Sequence, residues 1–189
     1  MSRTVGIGHQ NFENLITKDY FYIDKTKFIK EWWESGDEVT LITRPRRFGK
    51  TLNLSMVEKF FSVDYTQRTF LASHPFGPDG QRTLMDSGSD ADFLHTGRKS
   101  LFQGLAIWKE EKYRKIQGTW PVIFLSFAKV KEISFRNARK KICQLITNLY
   151  NQFDFLLESG LLNEKEKKLY QEVNADMEDY LASEALSNL

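Results

Sequence analysis

At 189 residues, with 41% apolar and 28% charged side chains, the chain has the size and composition of one globular domain with a real core. No run approaches the roughly 18–20 consecutive apolar residues of a membrane span, and the N-terminal Met-Ser-Arg-Thr-Val-Gly-Ile-Gly-His lacks the apolar core of a secretory signal. Cys143 is the single cysteine, so no internal disulfide or cysteine metal cluster can form, and a formal charge of +2 does not direct the whole chain to nucleic acid or membrane; these features together point to a cytoplasmic protein.

In chain order, residues 11–36 read as a short extended piece followed by a helix. Tyr20-Phe-Tyr-Ile23 suits packed, extended backbone. Asp24 or Thr26 is placed to cap a helix carrying Phe28, Ile29, Trp32 and Trp33 at helical spacing, and Gly36 is placed to end it in a left-handed conformation. Val39-Thr-Leu-Ile-Thr43 is a β-branched run without polar alternation, the pattern of a strand buried on both faces. A basic loop follows over 44–49. Leu52, Leu54, Met56, Val57, Phe60 and Phe61 then predict a helix of about three turns. Residues 73–100, rich in Gly, Pro, Ser and Asp, read as an extended surface loop. A second strand is expected at Trp120-Pro-Val-Ile-Phe-Leu-Ser-Phe127. From Phe135, with Ser134 as its cap, apolar residues at 135, 138, 142, 145, 146, 149 and 153 predict a long amphipathic helix. Asn163 with Glu166 predicts a capping box, and Asp176 is placed to open a last helix with Met177, Tyr180, Leu181 and Leu186. Strands alternating with helices imply an α/β layered fold.

The chemistry concentrates in Arg44-Pro-Arg-Arg-Phe-Gly-Lys50-Thr51. The usual phosphate-binding pattern, G-x-x-x-x-G-K-[ST] between a strand and a helix, is met here except at its first glycine. Backbone N–H groups of such a loop and the helix N-terminus face phosphate oxygens. Lys50 would reach the β and γ phosphates and the Thr51 hydroxyl would hold Mg²⁺. Gly49 would let the backbone approach closely, whereas Arg44 cannot take a positive φ cheaply. A chance G-K-[ST] in this length is roughly a one-in-ten event given average glycine usage, and the flanking strand and helix reduce it. Two other readings remain. Arg44, Arg46 and Arg47 could neutralise nucleic-acid phosphates, with Phe48 stacking on a base; or the loop is a solvated arginine-rich turn.

Around this loop the chain resembles the N-terminal part of the predicted AAA-ATPase-like family, a bacterial and archaeal group of P-loop proteins. The resemblance rests on Val5-Gly-Ile-Gly with Asn11-Phe12, Tyr22-Ile-Asp-Lys-Thr26, Thr43-Arg-Pro-Arg-Arg-Phe-Gly-Lys-Thr51, Phe60-Phe61-Ser-Val-Asp-Tyr65, Leu101-Phe-Gln-Gly-Leu-Ala-Ile-Trp108 and Gly118-Thr-Trp-Pro-Val-Ile-Phe-Leu-Ser-Phe-Ala128. It implies a P-loop parallel sheet flanked by helices and ATP binding with Mg²⁺. Arg46, Arg47, Phe48, Gly49, Lys50 and Thr51 would form the nucleotide site, with Thr51 on the metal. The Tyr22–Thr26 segment would pack near the nucleotide or the first strand.

Two departures from the family qualify that expectation. Residues 73–98 look like a loop insertion within one domain spanning 1–189. The acidic Walker B strand would lie beyond Leu189, as would the restriction-endonuclease-like domain of larger members. The expected fold is therefore an incomplete sheet, with hydrolysis weak or absent, catalytic residues unassigned, and a protein partner or oligomer completing the sheet or the site. A truncated product without function is the alternative. Elsewhere, His9, His74 and His95 have no ligand spacing, Trp32 and Trp33 read as packing residues, Cys143 as a buried small apolar residue, and Lys140 and Lys141 as a solvated helix face.

Overall fold

The computed structural model describes residues 3–63 and 100–189; the insertion expected at 73–98, with His74 and His95, lies outside them. The described residues fall into two compact units, one of residues 3–63 with 100–122, the other of residues 123–189.

In the first unit, α1 (Phe12–Thr17) begins where Asn11 Oδ1 accepts from the Asn14 N–H at 2.9 Å, which satisfies one of the orphan donors of a helix start. Helix α2 (Lys27–Ser35) ends at Gly36 with φ 65°, a left-handed residue that glycine adopts without a Cβ clash. Helix α3 (Lys50–Phe61) supplies the core's centre. A 3-10 turn at Ala106–Lys109 and α4 (Glu111–Ile116) complete the set. Phe12 stacks on Phe102 at 5.1 Å, and Phe60 meets Phe102 edge-on at 5.1 Å. Trp33 stacks on Phe61 at 5.1 Å. Each such ring removes enough apolar surface from water to contribute about 1.5–3 kcal/mol.

Polar clamps fix how these helices meet. Asp24 Oδ1 accepts from the Thr26 N–H (2.8 Å) and hydroxyl (2.7 Å), while Oδ2 accepts from the Ala106 N–H at 2.7 Å. The fully buried Thr26 hydroxyl accepts in turn from the Ile107 N–H at 3.1 Å. A short carboxylate thus ties the approach to α2 to the start of the 3-10 turn. The far end of α3 is tied as firmly. Phe60 O accepts from Gly118 N–H (2.8 Å) and Phe61 O from Trp120 N–H (3.0 Å), so carbonyls left over by the helix are satisfied.

The expected parallel sheet is not there. Among the described residues no strand or sheet forms; an isolated parallel bridge joins Ser62 and Trp120. Val39-Thr-Leu-Ile-Thr43 is extended chain, but Val39 is 86% and Leu41 83% exposed, the reverse of a strand buried on both faces. Ile123, Phe124 and Phe127 are exposed as well. The β-branched and aromatic composition of both runs favours extension. Extension becomes a strand only through a ladder with a neighbour, and no described segment supplies one. Among the described residues the expected α/β sheet fold is therefore replaced by helices joined by extended segments.

In the second unit, α5 (Phe135–Tyr150) starts as expected, with Ser134 Oγ accepting from the Asn137 N–H at 3.3 Å. A 3-10 turn follows at Asp154–Leu157. Helix α6 (Glu164–Glu172) carries the full capping box, Asn163 accepting from Lys165 and Glu166 N–H while Glu166 Oε2 accepts from Asn163 N–H at 2.7 Å. Helix α7 covers Asp179–Glu184, three residues later than Asp176 implied. Cys143, Ile146 and Tyr150 pack with Val173, Met177, Leu181 and Ala185. The Tyr150 hydroxyl donates to Ala185 O at 2.6 Å, and the Tyr170 hydroxyl donates to Tyr150 O at 2.6 Å. No helix among the described residues is long and apolar enough to cross a membrane.

Burial works against the Asp24 carboxylate, but the three N–H and O–H donors and the charge of Lys109 outweigh it and hold its pKa below the ordinary 3.8. Because the folded value is the lower one, this stabilisation is complete above the ordinary value and fades as pH falls through the folded value. Asp24→Asn is expected to lower the melting midpoint at pH 7, with the gap from wild type narrowing below about pH 4; an equal gap at all pH values would contradict the clamp. Tyr150→Phe removes the donor to Ala185 O and should cost about 1–2 kcal/mol, measurable by urea unfolding.

Candidate functional site

The loop that the sequence singled out leads directly into α3. Gly49 stands at the N-cap with φ 75° and ψ 16° and offers no side chain to cap the helix. The first helical bond runs from Asn53 N–H to Gly49 O at 2.9 Å, which leaves the N–H groups of Lys50, Thr51 and Leu52 without intrahelical partners, as at any helix start. The first turn of α3 carries no acidic residue. Its end of the helix dipole is therefore uncompensated and attracts negative charge.

Two residues of the loop lie in left-handed backbone, Arg47 at φ 68° and Gly49 at φ 75°. A Cβ added at Gly49 would meet no atom within 4 Å, so position 49 asks for conformational freedom rather than for empty space. Arg47 takes the same conformation with a full side chain, which costs about 1–2 kcal/mol. Backbone strain of this kind persists where the surroundings over-determine it, and it clusters at binding loops. Arg44, not Arg47, was the position where the sequence raised concern about positive φ; the structure places the strain three residues later.

Lys50 closes the loop. Its ammonium donates to Arg44 O and, at 3.0 Å, to Pro45 O. The side chain thus folds back from the first helical residue to the start of the loop. Arg44, Pro45, Arg46, Arg47 and Phe48 are all exposed, with Phe48 at 62%. Among the described residues none of Arg44, Arg46, Arg47 or Lys50 forms an ion pair. The half-buried Thr51 sits one residue into the helix, its hydroxyl without a hydrogen bond to described residues. Gly49, Lys50 and Thr51 are therefore gathered at one helix start, while the side chains of Arg46, Arg47 and Phe48 face solvent.

The Tyr22–Thr26 segment lies elsewhere. Tyr22 donates its hydroxyl to Met56 Sδ at 3.3 Å, in the second turn of α3, and Asp24 and Thr26 bind residues 106 and 107. It supports the helix rather than the loop. Burial raises the Tyr22 phenol to about 12, so it stays a neutral donor. Ser55 was missed by the sequence reading. Buried in the middle of α3, its Oγ accepts from the Phe12 N–H at 3.1 Å and fixes α1 against α3. A serine between apolar neighbours on a buried helix face was the available signal, since buried polar groups are nearly always bonded. His9 packs on Tyr20 at 4.6 Å, and no group of metal-binding side chains occurs among the described residues.

A basic loop with two left-handed residues, a lysine bound back onto loop carbonyls and an uncapped helix start matches the chemistry of phosphate binding. A family model described as predicted AAA-ATPase matches residues 6–75 and 88–185, taking in the loop and every helix described above. No curated protein and no solved structure matches the chain. With the family match covering most of its length, the chain belongs to the predicted AAA-ATPase-like family.

Proposed function

We propose that the chain binds a nucleoside triphosphate, ATP by the resemblance of its loop, with the phosphates against the start of α3. The observation that carries this reading is the Lys50 ammonium held by two loop carbonyls directly beside unpartnered helix N–H groups. A phosphate arriving there meets aligned N–H donors, the positive end of a 12-residue helix and a cation already within reach. Lys50 would exchange a carbonyl contact for a charge-assisted bond to a phosphate oxygen, which is the stronger interaction. The Thr51 hydroxyl, one position on, is the group that would join the coordination shell of Mg²⁺, and the metal supplies neutralisation of the β and γ charges when bound. Arg46 and Arg47 would add positive potential from the solvent side.

Hydrolysis needs a carboxylate to order the metal shell and the attacking water. No hydrogen bond or ion pair among the described residues sets a carboxylate against Lys50 or Thr51. Binding is therefore the proposed activity; turnover would need a carboxylate set against this site by another segment or by a protein partner.

The exposed Arg44, Arg46 and Arg47 beside an exposed Phe48 keep one second reading in view, a contact surface for single-stranded nucleic acid. Salt separates the two. Backbone contacts to nucleic acid weaken steeply with ionic strength, whereas nucleotide binding depends on Mg²⁺ and Lys50.

Calorimetry on the purified chain is expected to detect Mg-ATP and to show at least about a tenfold loss, 1.4 kcal/mol, for Lys50→Ala. Equal affinity in the two proteins would remove the loop from the site. Arg47→Gly should raise stability by up to about 1 kcal/mol, by relieving the left-handed strain, and weaken binding only by the loss of one solvent-side charge. Arg47→Val should weaken both, because a β-branched residue does not accept that φ.

A further inference from the structure

The first unit contains a cleft that the proposed nucleotide site does not use. Its volume is about 170 Å³, below the roughly 300–1,000 Å³ of pockets that hold drug-sized ligands. The walls are apolar: Phe28 and Trp32 from α2, Ile42 from the extended segment, Leu54 and Val57 from α3. Trp32 is held on both sides, its ring edge-on to Phe61 at 5.6 Å and its indole N–H donating to Thr40 Oγ1 at 3.0 Å. The aromatic wall is therefore in place before any ligand arrives.

The rim is of one sign. Asp37 and Glu38 stand at the mouth, both exposed, and neither has an ion-pair partner among the described residues. They follow directly on Gly36, where α2 ends, and the last turn of α2 carries no basic residue. The negative end of that helix's dipole thus adds to the two carboxylates. Among the residues lining the cleft these two carboxylates are the charged ones, and two cations on the surrounding helices are engaged elsewhere, Lys30 with Glu110 at 2.8 Å and Lys112 with Glu34 at 3.7 Å.

We infer that this cleft binds a small organic cation with an apolar body, its ring or branched chain lying between Trp32 and the Leu54–Val57 face and its ammonium at Asp37 and Glu38. Apolar burial supplies most of the binding, and the aromatic wall favours a cation beside it. The carboxylates select for charge, since an anion at the same rim meets repulsion and a neutral isostere gains nothing from them. No residue of the 44–51 loop lines the cleft, and the site can be tested without nucleotide.

The test is titration of the full chain with 2-phenylethylamine, following the Trp32 indole N–H by two-dimensional nitrogen–proton NMR. A saturable shift is expected, at least about tenfold weaker for the uncharged 2-phenylethanol and absent for 3-phenylpropionate. Asp37→Asn with Glu38→Gln, both at exposed positions, should keep the spectrum folded and weaken the amine about tenfold. Leu54→Trp, which fills the cleft, should abolish the shift. The proposal is overturned if no saturable shift appears below about 10 mM amine, if the carboxylate ligand binds as well as the amine, or if the double variant binds the amine unchanged.

Discussion

The carbonyls of Phe60 and Phe61, at the C-terminal end of α3, accept from the N–H groups of Gly118 and Trp120, while the rings of the same two residues sit in the aromatic core. Ser55 and Met56, one turn earlier, are bonded to Phe12 and Tyr22. Four hydrogen bonds to distant parts of the chain therefore hold one helix along its last two turns. The opposite end is left open. At Gly49 and Lys50 there is no side-chain cap, and what closes the loop is a lysine bonded to carbonyls of its own segment. A helix fixed at one end and chemically unsatisfied at the other is a rigid platform for whatever fills the open end, and the potential around a helix start of this kind favours negative charge.

The neighbouring segments make sense in relation to that platform. Asp24 and Thr26 do not reach the loop, yet they fix the 3-10 turn at Ala106–Lys109 against the approach to α2, and α2 in turn lays Trp33 on Phe61. The specific Asp-Lys-Thr string is thus explained by hydrogen-bond geometry: a short carboxylate with two oxygens that serves three donors, beside a hydroxyl that serves a fourth. The strained Arg47 belongs to the same logic. A loop that must turn sharply before a fixed helix start uses a left-handed residue even where the sequence offers an arginine.

What the sequence revealed and what it hid divide along the range of the interactions involved. Ser134, Asn163 with Glu166, and Gly36 announced helix ends correctly, because a cap bonds within three residues of itself. Val39–Thr43 and Trp120–Phe127 misled, because their composition describes a preference for extension and the ladder that would make a strand depends on a partner that no local pattern encodes. The helices α1 and α4 are six residues each, too short to show a period. In α5 the stripe was legible along most of its length: Cys143, Ile146, Leu149 and Phe153 are buried as read, whereas Phe135, counted in the stripe, is 84% exposed and the buried Tyr150 was not counted. At the loop, the Gly-Lys-Thr string located the helix start to the residue, but the return of Lys50 to Arg44 O and the strain at Arg47 are backbone facts that residue types do not carry.

The most direct measurement is the amide nitrogen–proton NMR spectrum of the chain with and without Mg-ATP. If the start of α3 receives the phosphates, the largest shifts fall on Gly49, Lys50, Thr51 and Leu52, whose N–H groups face the incoming charge. Shifts confined to other segments, or none at saturating nucleotide while the spectrum stays folded, would contradict a phosphate-binding role for this loop.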